Sequence, residues 1–303
     1  MHPANPIRRL ARHTPTPLDG VVEYGAGVLD DLTEIVDGLP DDPLDAWDPE
    51  HIRRTLPLLH AINAAYFRPD VRGLENIPAD APSLLAGNHS GGLMIADTFV
   101  LAAAFYEHFS PDRRFHQLAH DAAAKNPLMG FVRRYGVVPA SHENARAAFK
   151  LGAPVLVYPG GDHETFRPSW HSDQIEFDGR QGFIRLALEE NVPIVPVVAI
   201  GGQETALFLT RGQRVAKLLR LDRIARIKVL PVSIGPPFGI NLLDLPGRIP
   251  LPAKITIQLL PPVDLRERYG TSVDVDAAYE QITTDMQEEL SGLSAERTLP
   301  VVG

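Results

Sequence analysis

From Val71 onward the chain repeats one local pattern: a short apolar run, a turn rich in glycine or proline, then a helical periodicity. The runs are Ser83–Gly87, Arg114–Ala119, Gly136–Pro139, Val155–Tyr158, Ile194–Ala199, Ile227–Val232 and Ile255–Leu260. Helical spacing falls between several of them, at about Met94–His108, Pro127–Arg134, Glu143–Leu151 and Gly182–Glu190. Strand–helix alternation at this spacing builds layers, with each helix covering a sheet face. It predicts an α/β domain over residues 71–303, with a mostly parallel central sheet flanked by helices. An amphipathic helix at about Val275–Leu293 should pack back on it.

Residues 1–70 read differently, as an N-terminal helical extension. After a basic start over residues 1–16, an apolar stripe including Tyr24, Val28, Leu32 and Ile35 predicts a helix over 17–39, stopped by Gly38 and Pro40. A second helix is expected from about His51 to Tyr66, with Asp48 as its N-cap and Pro49 at the first helical position.

Charge and composition narrow the function. The formal net charge of −9 offers no basic excess to neutralise phosphates, which argues against a nucleic-acid partner. Cysteine is absent, so a thiol nucleophile and cysteine-ligated metal centres are excluded. The first residues hold no apolar leader, and the most apolar stretches, Leu93–Phe105 and Val192–Ile200, fall short of the roughly 18 residues that a spanning helix needs. The expectation is a peripheral protein on the cytoplasmic face of a membrane.

Two strand ends carry candidate chemistry. At the first, Gly87-Asn88-His89-Ser90-Gly91-Gly92 follows an apolar strand and runs toward a helix containing Asp97. A histidine there is exposed at a sheet end, where ligands of α/β folds bind. A carboxylate on one ring nitrogen would leave the other free to take a proton. A histidine that merely caps the helix start is the plainer reading of the same residues. At the second, Val155–Tyr158 runs into Pro159-Gly160-Gly161-Asp162-His163-Glu164, with Arg167 just beyond. Glycines there allow a ligand close to the backbone, whose N–H groups are candidates to hold an oxyanion, while Arg167 is a candidate partner for a phosphate. Two further segments, Tyr135–Ser141 and Val192–Val197, are bland alone.

The order and spacing of these four blocks resemble the glycerolipid acyltransferases of the lysophosphatidate acyltransferase (PlsC) type, over roughly residues 71–262. The resemblance places the family's catalytic histidine on His89 and its aspartate on Asp97, with Asn88, Ser90, Gly91, Gly92, Pro159, Gly160, Gly161, Glu164 and Arg167 around the substrates. Here seven residues separate His89 from Asp97 where the family has four, so Asp97 serves only if Ser90–Gly92 bulges; Asp121 and Glu164 are the alternatives. The Pro-Gly-Gly-x-x-Glu form is similar to the branch that includes diacylglycerol acyltransferases, and it lacks the usual Pro-Glu-Gly-Thr-Arg. The resemblance implies direct transfer from acyl-CoA, as co-substrate, or from acyl carrier protein, to a glycerolipid or lysophospholipid hydroxyl. It implies no acyl-enzyme, no cofactor and no metal.

Elsewhere, Leu207–Lys228 holds seven basic residues against one aspartate with apolar residues interleaved, a pattern suited to docking on an anionic membrane surface. His116 and His120 are four apart, but on a strand that spacing is about 13 Å, too far for one metal ion. Trp47 and Trp170 read as packing residues.

Overall fold

The computed structural model describes residues 40, 42–92, 95–120, 130–218, 229–237, 239–242, 244 and 248–299. The expected helix over 17–39 and the alternative acid Asp121 lie outside the described residues.

The most apolar runs form the centre of the sheet because both of their faces are covered. Strand β2 (Leu84–Gly87) and strand β6 (Ile194–Ile200) are buried along their whole lengths and pair in parallel, Leu84 opposite Ile194 and Gly87 opposite Val197. On one side of this pair the parallel sheet continues through β5 (Val155–Val157), β3 (His116–Ala119) and β4 (Val137–Pro139). On the other side β10 (Thr256–Leu259) runs antiparallel to β6 and pairs in parallel with β1 (Asp70–Arg72). The order is β1-β10-β6-β2-β5-β3-β4.

Alternation along each strand sends residues to two cores. Leu84, Ala86, Val155 and Ile194 face helices α4 (His142–Lys150), α6 (Gly182–Glu190) and α9 (Val275–Glu296), meeting Ala148, Ile184, Ile282 and Met286. Leu85, Leu156, Val195 and Val197 face α1 (Pro49–Tyr66) and α2 (Ala96–His108), meeting Ile52, Val100 and Phe105. Helix α1 starts as its sequence predicts: Asp48 Oδ1 accepts from the N–H groups of Glu50 and His51, and Pro49 occupies the first turn. Its Ile52 is wholly buried in the sheet's core.

The remaining described helices are short: α3 (Gly130–Arg134), α5 (Gly161–Thr165), α7 (Gln213–Leu218) and α8 (Leu265–Tyr269). No helix among the described residues is long and apolar enough to cross a membrane.

A second, antiparallel sheet departs from the sequence expectation. It consists of β7 (Leu207–Thr210), β8 (Val232–Gly235) and β9 (Gly239–Leu242) in that order. Of the run expected at Ile227–Val232, only Val232 among the described residues 229–232 is in a strand, and that strand is outside the central sheet. Within the basic segment 207–228, the described residues 207–218 form a strand followed by a short helix. Trp170, expected to pack, is 62% exposed.

Candidate active site

Strand β2 ends at Gly87, whose missing side chain makes room for the Tyr158 ring: a Cβ there would lie 2.9 Å from Tyr158 Cε1. The chain then folds back before α2. Gly91 and Gly92 take φ values of +89° and +69°, which glycine adopts without a Cβ penalty. This bulge spans the seven-residue gap and sets His89 Nδ1 3.4 Å from Asp97 Oδ2. That separation is an ion-pair distance without hydrogen-bond geometry, and Nδ1 has no other partner. The imidazole stacks on Tyr158, with centroids 4.1 Å apart and planes 18° from parallel. Its side chain remains 12% exposed, whereas Asp97 is 1% exposed.

Asp97 sits in the first turn of α2, where a negative charge is favoured. Its Oδ2 accepts from Ser90 N–H (3.1 Å) and Ser90 Oγ (3.3 Å), and its Oδ1 from Thr98 N–H (2.8 Å). The Thr98 hydroxyl bonds Tyr158 Oη at 2.9 Å, so the carboxylate and the ring stacked on His89 share one frame.

The loop's backbone is held from outside almost group by group. Glu164 Oε2 accepts from His89 N–H at 2.9 Å, and Arg167 Nη1 donates to His89 O at 2.7 Å. Gln203 Oε1 accepts from Gly91 N–H (3.1 Å), Arg248 Nη2 donates to Gly91 O (3.0 Å), and Thr165 Oγ1 donates to Gly92 O (3.1 Å). Gln203 Nε2 donates in turn to Arg167 O. Arg248 is buried, pairs with buried Asp244 at 2.7 Å and also donates to Thr205 O.

Several of the residues expected around the substrates are engaged by groups of the protein itself. Arg167 is fully buried, and its guanidinium donates to the carbonyls of His89, Glu164, His171 and Ser172. It is not presented to a ligand phosphate. Asn88 is clamped on strand β6, donating to Ala199 O (2.8 Å) and accepting from Ala199 N–H (2.7 Å). Ser90 is buried against Asp97. The Gly161 N–H, a candidate oxyanion donor, closes a turn onto Tyr158 O at 3.1 Å. Gly160 is required by packing, since a Cβ would lie 2.5 Å from Glu164 Oε2, and the carbonyls of Pro159 and Gly160 both accept from Arg180.

Glu164 itself is sealed, accepting on Oε1 from Glu176 N–H at 3.0 Å, with the Arg167 guanidinium 3.8 Å away. Burial pushes its carboxyl up to about 7, against the opposing pull of Arg167 and the His89 N–H, while burial draws the Arg167 guanidinium down. Desolvation outweighs the pair's attraction in both groups. Of the three acids considered for His89, Asp97 faces the imidazole and Glu164 holds the backbone N–H.

Tyr158, Gln203 and Arg248 were not singled out from the sequence. Gly201-Gly202, directly after the last strand of the motif series, was the available signal. A Cβ on Gly202 would lie 2.2 Å from Ser90 Oγ, so close approach to the histidine loop requires glycine there.

Residues 68–200 match the family profile described as Acyltransferase. An uncharacterised protein of Mycobacterium tuberculosis is 28% identical over 235 residues, 77% of this chain and 63% of its own length. The chain thus spans under two thirds of that relative. Phytyl ester synthase 2, a chloroplast protein of Arabidopsis thaliana, is 31% identical over 141 residues, 43% of this chain and 19% of its own. The fold resembles the crystal structure of the 1-acyl-sn-glycerophosphate acyltransferase PlsC from Thermotoga maritima, with a TM-score of 0.51, 19% identity and 91% of each chain covered.

Proposed function

We propose, from the match of residues 68–200 to the acyltransferase family profile, that the protein moves a fatty acyl group from a thioester to a glycerolipid hydroxyl at a membrane surface. The observation that carries this reading is His89, with Nδ1 toward Asp97 and its ring stacked on Tyr158. In the tautomer that places a proton on Nδ1, Nε2 is the basic atom; this assignment follows from the neighbouring carboxylate. The acceptor O–H gives its proton to Nε2 as the oxygen forms a bond to the thioester carbonyl carbon. The C–S bond then breaks, and the imidazolium returns the proton to the departing thiolate. Asp97 stabilises the transient positive charge. This direct transfer passes through no acyl-enzyme and uses no cofactor; acyl-CoA, or acyl carrier protein, is the donor.

The acceptor is a neutral alcohol such as monoacylglycerol or diacylglycerol. Support comes from Arg167 and Arg248, the buried cations beside the loop, whose donors point to protein carbonyls and to Asp244. A second acceptor class, a long-chain isoprenoid alcohol, is favoured by the similarity to the plant phytyl ester synthases.

The test is a mass-spectrometric screen with palmitoyl-CoA against lysophospholipids, mono- and diacylglycerol and phytol, run beside His89→Ala. Ester formation on a neutral alcohol, lost in His89→Ala with the fold retained, is the expected result. Thiol release independent of acceptor would identify a thioesterase instead. Undiminished transfer by His89→Ala would remove the mechanism.

A further inference from the structure

The small sheet β7-β8-β9 carries an inverted pattern. A sheet packed on one side in water turns polar residues outward. Here the inward row, in register across the three strands, is Phe208, Ser233 and Asn241, all buried. The outward row is Leu207, Ile234 and Ile240, which are 44%, 37% and 70% exposed, followed on the same face by Leu242 at 56%. Of the eleven large hydrophobic residues exposed among the described residues, seven lie between Leu207 and Leu251. Scattered apolar residues are ordinary on a surface, but a contiguous face of this kind marks contact with something apolar.

Charge indicates what that partner is. The chain is net negative by 9, yet its sequence between β7 and β8 carries Arg214, Lys217, Arg220, Arg223, Arg226 and Lys228 against Asp222 alone, apart from Arg211, which is turned onto Glu176 and the His163 carbonyl. Arg214 and Lys217 stand exposed on α7, next to Leu218 at 81% exposure. The nearby Asp244 is buried in its pair with Arg248 and adds no outward negative charge. An apolar face joined in the chain to a basic segment, with Arg214 and Lys217 exposed, matches an anionic lipid surface, apolar below and negative at the headgroups.

We propose that the outer face of β7-β8-β9 is the membrane-docking surface of this protein, and that it seats the His89 loop next to the bilayer. The inner face touches that loop directly: a Cβ on Gly92 would lie 2.7 Å from Phe208 Cζ and 2.1 Å from Asp244 Oδ2. The loop is therefore about one sheet layer, ~10 Å, from the docked face. This inference rests on the reading that the substrates are lipids.

The experiment is flotation of the full chain with vesicles of phosphatidylcholine alone and of phosphatidylcholine with phosphatidylglycerol. Wild-type protein should float, more strongly with phosphatidylglycerol. The double variant Ile234→Thr, Ile240→Thr keeps β-branched residues in the strands; it should lose about tenfold or more of its partitioning to both vesicles with an unchanged thermal transition. Arg214→Glu with Lys217→Glu should remove only the part that depends on phosphatidylglycerol. Three outcomes overturn the proposal: wild-type protein that does not float, a threonine variant that floats undiminished, or a wild-type dimer that the threonine variant converts to monomer, which would make a second copy the occupant. Flotation through this face without acyl transfer to any acceptor would leave the docking surface standing and remove the proposed reaction.

Discussion

At the scale of single residues, the two acids beside His89 have separate duties. Asp97 faces the imidazole, and the hydrogen bonds it accepts from Ser90 N–H, Ser90 Oγ and Thr98 N–H hold it in place. Asp97→Asn should lower kcat by about 10²–10⁴-fold with a smaller effect on KM, because charge stabilisation of the imidazolium matters only once the proton has moved. Steady-state kinetics at saturating donor would check this. Glu164 acts on stability. Its folded value of about 7 stands above the ordinary 4.5, so the native state keeps a proton that the unfolded chain releases between those values. The stability it contributes is complete below pH 4.5 and is lost as pH rises through 7, by up to about 3 kcal/mol. His116, drawn down by burial to about 4, gives the opposite slope: it favours folding more as pH rises from 4 to 6.5. Thermal unfolding of wild type and Glu164→Gln from pH 4.5 to 7.5 isolates the first effect. The difference between the two proteins should change across that window, and a constant difference would refute the assignment.

At the scale of elements, the histidine loop is fixed by pieces distant in sequence. Arg248 joins Gly91 O, Thr205 O and Asp244. Arg248→Met removes the guanidinium that neutralises the buried Asp244 carboxylate and should cost about 3–5 kcal/mol. Arg248→Met with Asp244→Leu removes both charges and should regain much of that loss in thermal melts. It should not regain kcat, since Gly91 O still lacks its donor. Recovery of both together would mean that Arg248 serves stability alone. The loop's glycines admit no such compensation: Gly92→Ala places a Cβ against Asp244 at φ +69°.

At the scale of the whole molecule, both faces of the central sheet are covered, one by α4, α6 and α9 and the other by α1 and α2. Helix α1 belongs to a stretch that reads as an extension in the sequence, yet Ile52 is enclosed with Leu85, Phe105 and Ile257. Ile52→Ala should therefore lower the midpoint of one cooperative transition, by about 2–5 kcal/mol of stability. A separate early transition in calorimetry would show that α1 melts independently.

The sequence alone determined the layered α/β class and the candidate loop. Parallel strands covered on both faces must be continuous apolar runs, and Leu84–Ala86 and Ile194–Ile200 are legible as such. It determined the start of α1 as well, because an N-cap acts within three residues. Tertiary structure decided what depends on approach through space. A one-dimensional pattern does not say that the bulge at Gly91–Gly92 closes the gap from His89 to Asp97, nor that Arg167 turns inward to four carbonyls. Nor does it say that Gln203 and Arg248 reach back to the same loop. The strands β7 to β9 stayed hidden for a related reason. Each is four residues long, and their outward side chains are the apolar ones, so local alternation carries no sign of which face meets the protein.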